Sequence, residues 1–182
     1  METCPRGEQS GTECSSPLPA QIRWEKPGHG WVKCNVDVVF HSSVGISTTR
    51  CFRNAEVIFF AGHSTRKSDH IPVLEGEATV LQEAINVAIA KGLDNVVFET
   101  DSRTLVYQIS AWSSDVSEFN IILSTIKFML ALFSNFEVKF VRRQANMAAR
   151  TIVRTTCFWL SCHVFEICPP YIDTILINGN AS

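Results

Sequence analysis

Residues 31–40 read as a strand, with polar and apolar residues alternating from Val32 to Val38. Lys33, Asn35 and Asp37 fall on one side and Cys34, Val36 and Val38 on the other, which is the two-residue period of a strand. A Thr-rich strand is predicted over 46–53 and a third over 56–63. Asn54 and Ala55 stand at the turn between them, so this half reads as an antiparallel meander. From residue 73 to 91 the apolar period lengthens to that of a helix, and Gly92 is placed to cap its end. A short apolar strand over 95–100 follows, then helices over 102–112 and 119–133. A strand over 136–141 and a helix from 145 to about 157 close the pattern. The order β-β-β-α-β-α-α-β-α implies one mixed α/β sheet. Residues 1–22, rich in Ser, Pro, Gly and Glu, are expected to be a disordered tail. Residues 23–176 are expected to form one domain, with a short tail over 177–182.

Composition narrows the setting. With 182 residues, 46% hydrophobic and 19% charged, the chain can bury roughly 70% of its unfolded surface in one domain. A net charge of −2 gives no global pull toward nucleic acid or membrane, so any basic surface is local. The cysteine count is odd, at seven, without a CxxC, and the N-terminus lacks the apolar core of a secretion signal. These features fit free thiols in an intracellular protein of nucleus or cytoplasm. Cys157, Cys162, His163 and Cys168 cluster in sequence, but their spacing fits no zinc pattern, and buried thiols are the expectation. The apolar run 119–136 is interrupted by Lys127 and falls short of the about 20 residues of a membrane span. It is read as a helix buried in the domain or against a protein partner, with no membrane role.

Three carboxylates are out of place. On a wheel of about 100° per residue with Glu77 at zero, Leu81, Ala84 and Ala88 fall within about 40° of it. Glu75, Gln82 and Asn86 fall on the far side. Glu77 therefore points toward the sheet. Asp37 sits among apolar neighbours on the first strand, and Asp101 ends the strand at 95–100. A parallel pairing of those strands brings the two acids near each other, and the helix over them brings Glu77. Three acids in a half-buried site repel unless protonated or neutralised. Two Mg²⁺ ions resolve this, because hard cations prefer carboxylate oxygen, and such a pair serves phosphodiester cleavage. Each acid also has a plainer reading. Asp101 with Ser102 can cap the following helix, Asp37 can pair with Lys33, and Glu77 can face a helix dipole.

Four stretches carry a family resemblance: "WEKPGHGWVKCNVD" (24–37), "EGEATVLQEA" (75–84), "VFETDS" (97–102) and "VRRQANMAA" (141–149), with "PPYI" (169–172) in the tail. In this order the chain resembles type 1 ribonuclease H, and more narrowly the plant ribonuclease H-like domains related to retrotransposon reverse transcriptases. The resemblance implies a ribonuclease H-like fold: a five-stranded mixed sheet, three strands antiparallel and two parallel, flanked by helices. It implies hydrolysis of the RNA strand of RNA–DNA hybrids with two Mg²⁺ ions (Mn²⁺ as a substitute), held by Asp37, Glu77 and Asp101 as metal ligands and catalytic residues. The chain departs from the family at Arg150, where a fourth acid or a His is usual. A guanidinium neither ligates a metal nor relays a proton at neutral pH. This leaves a catalytically inactive nucleic-acid-binding domain, or a protein-interaction module using the apolar 119–133 helix, as alternatives.

A basic surface is also expected. Lys139, Arg142, Arg143, Arg150 and Arg154 lie within sixteen residues that contain no acid. Such a patch suits a nucleic-acid backbone, against the plain alternative of a solvated face. Arg142, Arg143 and Arg150, with Asn35, Ser102 and Asn146, are the expected nucleic-acid contacts. His63 and His70 are read as loop residues.

Overall fold

The computed structural model describes residues 24–41, 45–56, 58–67, 71–111, 117–156 and 163–165. The expected tails, His70, "PPYI" and the Cys157–Cys162–Cys168 grouping lie outside them. The alternating segments form β1 (Val32–His41), β2 (Gly45–Arg53) and β3 (Phe59–Lys67), paired antiparallel in sequence order. At the hairpin, the Asn54 side-chain oxygen accepts from the Glu56 and Ile58 backbone N–H groups at 3.1 and 2.9 Å, so Asn54 holds the turn. Helix α1 (Val73–Ala90) follows. Gly92, at φ 64°, ends it: its N–H donates to the Ile89 carbonyl, and the Leu93 N–H to that of Ala88, both at 3.0 Å.

Strand β4 (Val96–Thr100) pairs parallel with β1, and β5 (Phe136–Phe140) pairs parallel with β4. Helices α2 (Arg103–Ser110) and α3 (Glu118–Leu132) connect them, and α4 (Met147–Thr156) follows β5. The five predicted strands thus form one mixed sheet in the order β3-β2-β1-β4-β5. A sixth strand, β6 (His163–Phe165), not among the predicted elements, adds to the edge of β3. His63 is not a loop residue. It lies within β3 opposite Arg50, and burial together with that guanidinium lowers its pKa.

The two faces of the sheet are buried differently. On one, Cys34, Val36, Phe52 and Phe98 pack against α1 and the inner residues Leu123, Ile126 and Met129 of α3. Core burial therefore accounts for the inner half of α3. Ile121, Phe128 and Leu132 lie exposed on its outer side, and nothing in the structure supports a protein partner there. Among the described residues, no helix is long and apolar enough to cross a membrane. Cys34 and Cys51 are free and buried, as expected.

The other face of β1 carries the polar residues, yet it too is buried, because α4 packs over β1 and β2. Burial in low dielectric forces each polar group to find a partner. Lys33 Nζ meets Glu99 Oε1 at 2.6 Å, so Lys33 pairs with Glu99 and not with Asp37. Asn35 Nδ2 donates to Glu99 Oε2 at 2.8 Å and to Asn146 Oδ1 at 3.0 Å. Asn146 Nδ2 donates to the Val36 carbonyl at 2.8 Å, tying the start of α4 to the centre of the sheet. Arg53 donates to Asn35 and stacks at 3.8 Å on the Trp24 ring, which packs with Val141 and Ala145.

The assignment of Asn35 and Asn146 as nucleic-acid contacts is corrected here. Both are within 1% of full burial, and their amides are committed to each other and to the sheet. Asn146→Ala strands the Asn35 amide and the Val36 carbonyl without that partner. The expected cost is about 2 kcal/mol, a fall in Tm of about 4–8 °C, measurable by thermal denaturation.

Candidate active site

Three elements end at one place. Asp37 projects from β1 on the face opposite the apolar core, and only 5% of it is exposed. Asp101 follows the last residue of β4. Glu77 lies in the first turns of α1 at the centre of the stripe that buries Leu81, Ala84 and Ala88. All three line one cleft of about 320 Å³. The expected convergence is therefore present, and it follows from two features of the sequence. Parallel pairing of β1 with β4, in the register Asn35–Glu99, sets Asp37 and Asp101 at the same end of neighbouring strands. The wheel of α1 turns Glu77 toward them.

Capping does not explain Asp101 and Ser102. Ser102 is the N-cap of α2, but its side chain accepts no capping hydrogen bond, and its own N–H donates to Thr100 Oγ1 at 3.1 Å. Asp101 is instead engaged by Arg143, whose Nε donates to Oδ2 at 3.1 Å. The Arg143 side chain is 73% exposed, so this pair is one that solvent screens and that little free energy holds together.

The acids press on one another. Burial raises the Asp37 pKa from 3.8 to about 6, with Asp101 adding repulsion; the Val38 N–H, Arg150 and Arg143 act in the opposite direction. Glu77 rises from 4.5 to about 8, first through burial, then through Asp101 and Asp37. Its Oε2 is buried and has no hydrogen-bond partner. Such an oxygen, beside two further carboxylates, has the donor chemistry that a hard divalent cation seeks. As they stand, the side chains are not preassembled for one. Among the described residues, no group of three His, Cys, Asp or Glu side chains is arranged to hold a metal, and Arg143 occupies one oxygen of Asp101.

The cleft is also basic. Arg143, Arg150 and Arg154 line it together with the three acids. Arg142 is exposed on the segment leading to α4. Lys139 does not join them, since it pairs on β5 with Glu137 at 2.6 Å. Ser102 is half-buried beside Asp101. Sequence reasoning missed Phe40 and Val73, which complete the cleft. Phe40 lies so close over Gly76 that a Cβ there would sit 2.6 Å from its ring. The signal was an apolar residue at the end of β1 and a glycine next to Glu77, neither distinctive alone.

Two carboxyls that bind a proton more tightly folded than unfolded make stability fall as pH rises from their unfolded values through about 6 for Asp37 and about 8 for Glu77. Glu77→Gln removes the larger contribution. In EDTA it is expected to raise stability at pH 8 by about 2–4 kcal/mol and to leave it unchanged near pH 4. Denaturant unfolding at the two pH values checks this, and equal effects at both would contradict it.

The comparisons with known proteins follow the same lines. Residues 35–156 match the family model described as reverse transcriptase-like. No curated protein matches the chain in sequence. Among solved structures, ribonuclease H1 from the halophilic archaeon Halobacterium salinarum gives a TM-score of 0.62 at 16% identity, covering 70% of this chain and 97% of that one. LC11 ribonuclease H1, isolated from compost by a metagenomic approach and solved with an RNA/DNA hybrid, gives 0.59 at 14%, covering 68% and 94%. The foamy viral protease–reverse transcriptase with an RNA/DNA hybrid gives 0.57 at 13%, covering 86% of this chain and 24% of that one. At these identities the likeness is one of fold.

Proposed function

The chain belongs to the reverse transcriptase-like family and folds as a ribonuclease H-like domain, and on that premise we propose that it binds RNA–DNA hybrids and hydrolyses their RNA strand with a divalent cation. One observation carries this reading. Carboxylates from β1, α1 and the end of β4 share a single cleft, burial and the neighbouring acids raise the proton affinity of Asp37 and Glu77, and a buried Glu77 oxygen has no partner. Two of the similar structures hold an RNA/DNA hybrid, which supports that substrate class.

Asp37, Glu77 and Asp101 are the residues that would hold Mg²⁺ or Mn²⁺. A cation there supplies an activated water and charge stabilisation for the leaving oxygen of a phosphodiester. Asp101 becomes available when Arg143 swings away, and the exposed Arg143 and Arg142 are then free to meet the nucleic-acid backbone. Ser102, next to Asp101, would meet a sugar hydroxyl. Glu77 would have to lose its proton to hold a cation, so binding would tighten as pH rises toward about 8.

A second reading is a domain that binds hybrid without cutting it. It is favoured by the Arg143–Asp101 pair and by Arg150 in the cleft, since guanidiniums already neutralise the acids. A cleavage assay on a labelled hybrid with titrated Mg²⁺ separates the two. The expected result is cleavage that needs the cation and that Asp101→Asn reduces at least about a hundredfold, the scale on which loss of a transition-state charge partner is felt. Cleavage in EDTA, or full activity in the variant, would remove the metal role; binding without cleavage at any Mg²⁺ concentration would establish the second reading.

A further inference from the structure

Gly76 is a buried glycine inside α1, where alanine is ordinarily the more stable residue. Its backbone is already in the helix, with its N–H donating to the Pro72 carbonyl at 3.0 Å, so no turn calls for a glycine. What it meets is β1. A Cβ built on Gly76 would lie 2.6 Å from Phe40 Cζ, 3.0 Å from Phe40 Cε1 and 3.7 Å from Val38 Cγ2. The first two distances are well inside the about 3.5–4.0 Å at which carbons pack. The edge of the Phe40 ring thus fills the space that a side chain at position 76 would take.

The same ring lines the cleft. Phe40 is 37% exposed and borders that space together with Asp37, Glu77 and Val73. Glu77 is the next residue of α1 after Gly76, and Asp37 precedes Phe40 on β1 by one turn of the pleat and a residue. The two sides of the contact differ in their freedom to move. Helix α1 is fixed in the core by Ala78, Leu81, Ala84 and Ala88, all fully buried, and close-packed interiors resist displacement. The part-exposed ring is the side that yields. A side chain at position 76 therefore drives the ring away from α1, and the open space available to it is the cleft.

We propose that Gly76 is a positioning residue for the cleft: by leaving room for the Phe40 ring against α1, it keeps that ring out of the space where Asp37 and Glu77 meet a ligand. The identity of the ligand as a divalent cation rests on the hydrolase reading. The placement of the ring does not.

Two measurements on the full chain test it. The first is made in EDTA, by nuclear Overhauser contacts of the Phe40 ring and by thermal denaturation. The natural protein is expected to show ring contacts to the Gly76 α-protons and to the Val38 methyls, and Gly76→Ala to lose them. Phe40→Leu lacks the two clashing carbons. In that background Gly76→Ala is expected to raise Tm by about 2–4 °C, the usual gain of alanine over glycine in a helix, and in the natural background to give no such gain. The second is Mn²⁺ titration followed by electron paramagnetic resonance, well below Tm. Gly76→Ala is expected to weaken binding about tenfold or more, although all three acids are present, and added Phe40→Leu to restore it. A role confined to stability would leave the Mn²⁺ affinity unmoved.

The proposal is overturned if the ring contacts are the same in Gly76→Ala, or if alanine raises Tm equally in both backgrounds. It is overturned equally if the ring moves and the Mn²⁺ affinity stays. A natural protein that binds no Mn²⁺ refutes the hydrolase reading, and the ring contacts and Tm values then uphold or refute the placement of the ring by themselves.

Discussion

Glu99 is a full carboxylate at the centre of a sheet with both faces covered, and its neutralisation organises everything around it. Only 1% of the residue is exposed. A charge so placed is tolerable only with a close counter-ion and further hydrogen bonds. Lys33 supplies the first and Asn35 the second, each from the neighbouring strand. Asn35 in turn engages Asn146, and Asn146 anchors the start of α4. Because α4 carries Arg150 and Arg154, the position of the basic lining of the cleft is set by a cluster that does not itself line the cleft.

Much of this was legible in the chain. The two-residue period of β1 and the longer period of α1 gave the elements their type, and the wheel of α1 turned Glu77 inward correctly. The acids could be placed together from the order of elements alone. What misled was the polar side of β1. Lys33, Asn35 and Asp37 share one side, but alternation does not report what covers it, so Asn35 was expected to meet nucleic acid and not the start of α4. Only the register Asn35–Glu99 shows that an amide and a carboxylate meet there. A contact between residues 64 apart in sequence leaves no local periodic signal. Strand β6, at three residues, is too short for any period to announce it.

The cleft shows how a site can hold acids without being permanently charged. Protonation of Glu77, a displaceable guanidinium on Asp101 and a divalent cation are three ways of meeting the same electrostatic demand. The proton on Glu77 and the guanidinium on Asp101 sit on different carboxylates, and a cation held as proposed would displace both. The hydrolase and binding-only readings differ in which of these prevails when nucleic acid arrives. The fold is common to both.

The borders of the sheet bear on the behaviour of the molecule in concentrated solution. An unpaired strand border is a template for another chain to zip onto. At one side, β6 covers β3 for a few residues. At the other, β5 is last in the order and, among the described residues, pairs only with β4. It is only five residues long, and Glu137 and Lys139 give it exposed opposite charges. A short, charged border of this kind discourages another strand from stacking onto that side of the sheet.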